Sequence, residues 1–239
     1  MSDLSAVKAL VFDVFGTVVD WRTSLIADFT KWSESRGVTG DWTTLVDRWR
    51  GMYVASMDEV RRHPERGFVV LDTLHRRSLE QLVAQLGITG LTDADLDHLT
   101  KCWHRLHPWP DSVAGLTRLK RKFILSPLSN GNVALLTNMA KFAGLPWDLV
   151  MSAELFAHYK PDPETYLGAA RLLGLAPGEV MMVAAHNNDL EAAQRNGLKT
   201  AFVARPTEYG PLQSRDFEAT GAWDIVAKDF GAIADRLGC

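Results

Sequence analysis

Two rhythms of hydrophobic and polar positions divide this chain. Ala6 to Asp13 is a short, mostly apolar run that ends in a carboxylate and a Gly16-Thr17 turn, and it reads as a buried strand. From Trp21 to about His107, apolar residues recur at three- and four-residue spacing in 22–36, 42–58, 70–86 and 92–106, which predicts helices. Breakers separate them: Gly37 and Gly40, Pro64 and Gly67, then Gly87 and Gly90. From Pro108 onward, apolar runs at Phe123–Leu128, Leu149–Ser152, Val180–Ala184 and Thr200–Val203 alternate with helical patterns near 112–121, 132–143, 163–173 and 188–196. That alternation predicts an α/β fold, a parallel sheet covered by helices.

An all-helical insert of this length is too long for a loop. It predicts a helical cap at 21–107, inserted into a core built from 1–20 and 108–239. Ligands of open parallel sheets bind outside the carboxyl ends of the strands, so the residues at those ends are the ones to interrogate.

Composition narrows the partners. A net charge of −3 without a basic block leaves no nucleic-acid footprint. No apolar run approaches the roughly 20 residues of a membrane-spanning helix, and Met1 to Lys8 lack the layout of a signal peptide. Two cysteines, Cys102 and Cys239, argue against a disulfide framework and suit a reducing cytoplasm.

Four predicted strand ends carry polar residues: Asp13, then Ser129-Asn130-Gly131, then Lys160-Pro161-Asp162-Pro163, and Asp189 within Ala184 to Asp189. Each has a plain alternative. Ser129 suits a helix cap, Asp189 a first-turn acid, Lys160 a solvated lysine and Asp13 a turn former. Their joint order, one at each strand end, points instead to a nucleophile, an anion cradle, a cation and a second carboxylate.

In that order, Asp13-x-x-Gly16-Thr17, Ser129-Asn130-Gly131, Lys160-Pro-Asp-Pro and Asp189 closely resemble the four motifs of the haloacid dehalogenase superfamily. The resemblance covers nearly the whole chain. It implies a Rossmann-like, doubly wound core with an inserted helical cap. Most members of that superfamily are magnesium-dependent phosphatases with Asp-x-Asp, whose second acid protonates a poor leaving group. Here Phe15 stands at that position, and Asp189 is the only acid of the last motif. A hard dication wants several oxygen ligands, so the phosphatase reading is disfavoured and no metal or cofactor is expected. A halide leaves carbon as a stable anion and needs no proton.

The surrounding sequence resembles the type II 2-haloacid dehalogenase branch. That resemblance implies halide capture by Arg50 of the Trp49-Arg50 pair, with Arg48 the rival candidate and a plain surface arginine the alternative. It assigns catalytic roles to Asp13, Thr17, Lys160 and Asp189 as well. Tyr166, six residues after Lys160, and Trp109, at the return from cap to core, match substrate-site aromatics. Phe15, Ser129, Asn130 and Asn187 complete the expected substrate contacts. The branch commonly has serine and asparagine where this chain has Ala184 and His186. His186 either orients or deprotonates the hydrolytic water, or is a loop residue.

The implied reaction has two displacements. Asp13 attacks carbon 2 of a short 2-haloalkanoate, and water then opens the Asp13 ester. The substrate partner is a haloacid, with halide as product. Dimers are common in that family, which leaves a homodimer open. The motifs do not choose the halogen, fluoride included. Two rivals stay open: a magnesium phosphohydrolase with an atypical first motif, and a silent binding module of the same fold.

Overall fold

In a computed structural model that describes residues 3–239, Ala9–Phe12 (β1) lies inside a six-stranded sheet with all four side chains fully buried. A strand covered on both faces must be apolar throughout, which is why this one shows no alternation. The chain leaves the sheet through Val19–Asp20 (β2) and enters four helices: Trp21–Arg36 (α1), Trp42–Arg62 (α2), Leu71–Gln85 (α3) and Asp93–Thr100 (α4). It returns through a 3-10 turn, Lys101–Arg105, and through His107–Pro108 (β3). β2 and β3 pair antiparallel, with Val19 opposite Pro108 and Asp20 opposite His107, so entry and exit of the helical cap are clasped together.

The rest alternates: Ser112–Leu119 (α5), Ile124–Ser129 (β4), Val133–Ala143 (α6), Met151–Ser152 (β5), Pro163–Leu172 (α7), Val180–Ala184 (β6), Asn187–Arg195 (α8), Lys199–Val203 (β7), Ile225–Ala227 (β8) and Phe230–Arg236 (α9). The sheet order is β5-β4-β1-β6-β7-β8 and every pairing in it is parallel. This is the expected Rossmann-like α/β architecture. Val11 of β1 faces Ser126 on one side and Met182 on the other, so β1 and β6 end together at the catalytic edge.

Local capping residues set the starts of α1 and α2 and the end of α1. The Asp20 and Asp41 side chains accept from Thr23 N and Thr44 N and so cap α1 and α2. Gly37, at φ 66°, ends α1 in the left-handed conformation that costs glycine little. Trp21, Leu25, Phe29 and Trp32 bury one face of α1, and Trp42, Leu45, Val46, Trp49 and Met57 bury one face of α2. Burying a side chain such as Leu25 or Phe29 contributes roughly 1.5–3 kcal/mol. Phe15, from the core, meets Trp103 edge to face at 5.4 Å and Tyr53 at 6.2 Å, which ties the floor of the site to the cap.

Three expectations needed adjustment. The pattern over 92–106 is not one helix, because α4 ends at Thr100 and tightens into the 3-10 turn. α2 continues to Arg62. β8 and α9 had no prediction. Cys102 and Cys239 are free thiols, and no helix among the described residues is long and apolar enough to cross a membrane.

Candidate active site

Asp13 follows β1 directly, and its N–H still donates to Val183 O of β6 at 3.0 Å. The chain then turns: Val18 N donates to Val14 O, and Gly16 sits at φ 85°. A Cβ at Gly16 would also lie 2.1 Å from Oε1 of Glu208, so backbone angle and close approach both demand glycine.

The Asp13 carboxylate is enclosed by donors. Lys160 Nζ donates to Oδ1 at 3.0 Å. Thr17 Oγ1 donates to Oδ2 at 2.8 Å, and His186 Nδ1 lies 3.0 Å from the same oxygen. Thr17 is itself fixed, because its hydroxyl accepts from Ala185 N at 2.9 Å. Burial opposes the Asp13 charge, but Lys160, His186 and Thr17 outweigh it and hold the carboxyl well below the usual range. Lys160 also pairs with Asp189 Oδ2, and Tyr166 OH donates to Asp189 Oδ1 at 2.6 Å. Burial and the Asp13 charge push Asp189 above its ordinary value, despite Lys160. The two carboxylates therefore differ: Asp13 stays ionised, while Asp189 holds a proton more readily.

Across the cleft stands Arg50 of α2. Its guanidinium lies over the Tyr53 ring at 4.3 Å and the Trp21 ring at 5.3 Å. Nη1 is buried without a hydrogen-bond partner, and Nη2 is 3.9 Å from Glu208. A buried donor left unpaired costs about 1–3 kcal/mol, so this arrangement suits an anion that arrives with the ligand. Arg48 points elsewhere and donates to Gln85 at 2.7 Å.

The cleft has a volume of about 640 Å³. Of the sequence-predicted residues, Asp13, Phe15, Arg50, Asn130, Lys160, Tyr166, His186 and Asp189 line it, with Thr17 directly behind Asp13. Three do not. Ser129 is fully buried and accepts from Gly131 N, shaping the turn. Trp109 donates Nε1 to Gly16 O and lies 5.5 Å from the Arg205 guanidinium, so it packs the hinge. Asn187 turns away: its amide donates to Asp216 and Glu218 O and accepts from Thr220 N and Trp223, leaving Asn188 to face the cleft.

Sequence reasoning missed Glu208. It is 1% exposed, accepts from Trp21 Nε1 at 2.9 Å, and lies 2.9 Å from His186 Nε2. The signal was available, since Glu208 lies in the loop at the carboxyl end of β7, where strand-end chemistry collects. Tyr53 and Tyr209 of the cleft were missed too. His186 thus stands between two carboxylates. Burial disfavours its cation, but Glu208 and Asp13 outweigh burial and raise it well above the ordinary imidazole value. A ring that donates from both nitrogens has no lone pair with which to deprotonate water.

The donor set fits a dication poorly. Asp13 already touches the Lys160 ammonium and the His186 cation, which would repel a metal at the same oxygens. Among the described residues, one group of three acids and histidines lies close enough to share an ion: His158, Asp162 and Glu164. None of the three lines the cleft, and Arg61 already bonds Asp162.

Comparison with known proteins identifies the family. A family profile for haloacid dehalogenase-like hydrolases matches residues 7–197. An (S)-2-haloacid dehalogenase of Xanthobacter autotrophicus is 31% identical over 213 residues, 83% of this chain and 76% of its own. A solved L-2-haloacid dehalogenase is 51% identical with a TM-score of 0.94, covering 97% of this chain and 99% of that one. A solved defluorinating L-2-haloacid dehalogenase is 48% identical, also with a TM-score of 0.94, covering 98% and 96%.

Proposed function

Because the chain belongs to the haloacid dehalogenase-like hydrolase family, we propose that it hydrolyses short 2-haloalkanoic acids to 2-hydroxy acids and halide through an ester on Asp13. One observation carries this reading. An ionised carboxylate and a buried guanidinium with an unpartnered Nη1 line the same cleft, and Phe15 stands where a phosphatase needs its acid. Residues 21–107 act as the cap, and 1–20 with 108–239 as the core.

In the first step Asp13 attacks carbon 2 and the carbon–halogen bond breaks, with the halide leaving toward Arg50. Asn130 Oδ1 is occupied by Lys160 N at 2.8 Å, so its amide nitrogen is the group left to meet the substrate carboxylate. In the second step a water near Asp189 attacks the Asp13 carbonyl carbon and gives up one proton to Asp189. That proton passes to the departing hydroxy-acid oxygen, the water's second proton is released to solvent, and Asp13 returns as a carboxylate. Holding nucleophile and carbon in line is worth roughly 7–11 kcal/mol in well-oriented systems. A reducing cytoplasm belongs to the same reading, supported by two free thiols.

The test is halide release from a panel of haloacetates and 2-halopropionates, alongside a generic phosphate ester. Halide from at least one haloacid and no phosphate release is the expected result. Magnesium-dependent phosphate release without halide release contradicts it.

A further inference from the structure

Asp13, His186 and Glu208 form an unbroken buried line: Asp13 Oδ2 to Nδ1 at 3.0 Å, and Nε2 to Glu208 Oε2 at 2.9 Å. Building on the ester mechanism above, we propose that Glu208 is a positioning residue that keeps His186 an imidazolium, and that His186 then stabilises the oxyanion formed when water opens the ester. His186 is thereby the catalytic donor of the second step rather than its base.

Lone-pair counting separates the two Asp13 oxygens. Each carboxylate oxygen has about two acceptor sites. Oδ2 has both taken, by Thr17 and His186, whereas Oδ1 has one taken, by Lys160. Oδ1 therefore retains the pair that attacks carbon 2 and becomes the ester oxygen. Oδ2 remains as the carbonyl oxygen. When water adds to the carbonyl carbon, the C–O π electrons move to Oδ2, where a hydroxyl and a cationic N–H already point. Collapse returns those electrons and expels Oδ1 with the hydroxy acid. Such pre-placed donors cost no reorganisation at the moment charge develops, and removing one typically costs about 10²–10³-fold.

Glu208 also faces the Arg50 guanidinium, but its short contact with a cation is the one to His186. It is held by Trp21 Nε1 and backed by Gly16, so it cannot swing toward solvent. The charged groups facing the line are Lys160 beside Asp13, Asp189 beyond Lys160, and Arg50 at 3.9 Å from Glu208. When Asp13 becomes a neutral ester, His186 loses one of its two anions. Glu208 is then the remaining carboxylate that keeps the ring charged through the step that needs it.

Rapid-quench kinetics of Glu208→Gln with a 2-halopropionate test this, with halide and intact-protein mass followed together. The first equivalent of halide should appear, the Asp13 adduct should persist, and turnover should fall by about 10²-fold. With Glu208 gone the ring loses its proton nearer its ordinary value of about 6.5, so the slow step should slow further as pH rises. A general base would do the reverse. Turnover equal to the parent enzyme with no adduct overturns the proposal, as does a slow step that quickens with pH. Nitrogen NMR of the His186 ring in the parent protein is independent of any folding defect: protonation at both nitrogens at pH 7.5 supports the proposal and a neutral ring overturns it. If Asp189→Asn stalls without any Asp13 adduct, the ester reading itself fails instead.

Discussion

Arg50 lies over the ring of Tyr53, the guanidinium carbon 4.3 Å from the ring centroid, one turn apart on α2. The ring packs against the guanidinium while Nη1 has no hydrogen-bond partner. Arg50→Ala should therefore slow the first halide release by about 10²–10³-fold. Arg50→Lys should recover little, since a point charge cannot reproduce the planar fork of donors. Arg48→Ala, on the Gln85 side, should match the parent. Stopped-flow halide detection checks all three.

Metal removal should leave turnover unchanged. Lys160 and His186 already supply the positive charge around Asp13. Activity lost in EDTA and restored by magnesium would contradict this.

The two steps should have different acid limbs. Asp13 is shifted down from 3.8 and Asp189 is shifted up from it. A carboxylate that must be ionised loses function as pH falls through its folded value. Halide burst should thus persist below pH 3.8 where the protein stays folded, while ester hydrolysis should fade at a higher pH. Burst and steady-state rates across pH 3–7 separate the two limbs.

Asn187→Ala should spare turnover and lower stability. Its amide ties Asp216, Glu218, Thr220 and Trp223 together, and the loss of such partners costs about 1–3 kcal/mol. Chemical denaturation alongside kinetics checks it; a collapse of kcat with unchanged stability would return Asn187 to the substrate site.

Asn187 also marks where sequence stopped being informative. Motif order located the fourth strand end, but each residue turns a helix by about 100°. Without the phase of α8, the chain cannot say that Asn188 faces the cleft and Asn187 faces the 216–223 loop. β1 and Asp13 were legible because a central strand must be apolar throughout. Ile225–Ala227 was not, because three residues make no period. Glu208 was legible only as a strand-end acid: its partners, Trp21 and His186, are 187 and 22 residues away, and spacing carries no trace of such contacts.

The central claim is that Asp13 is the covalent nucleophile, rather than a base that activates water against carbon 2. Both roles suit an ionised strand-end carboxylate, and both predict that Asp13→Asn is inactive. Single turnover in heavy-oxygen water with enzyme in excess distinguishes them by the origin of the new oxygen. The account predicts an unlabelled 2-hydroxy acid and a labelled Asp13 peptide. A labelled product with an unlabelled peptide would contradict it.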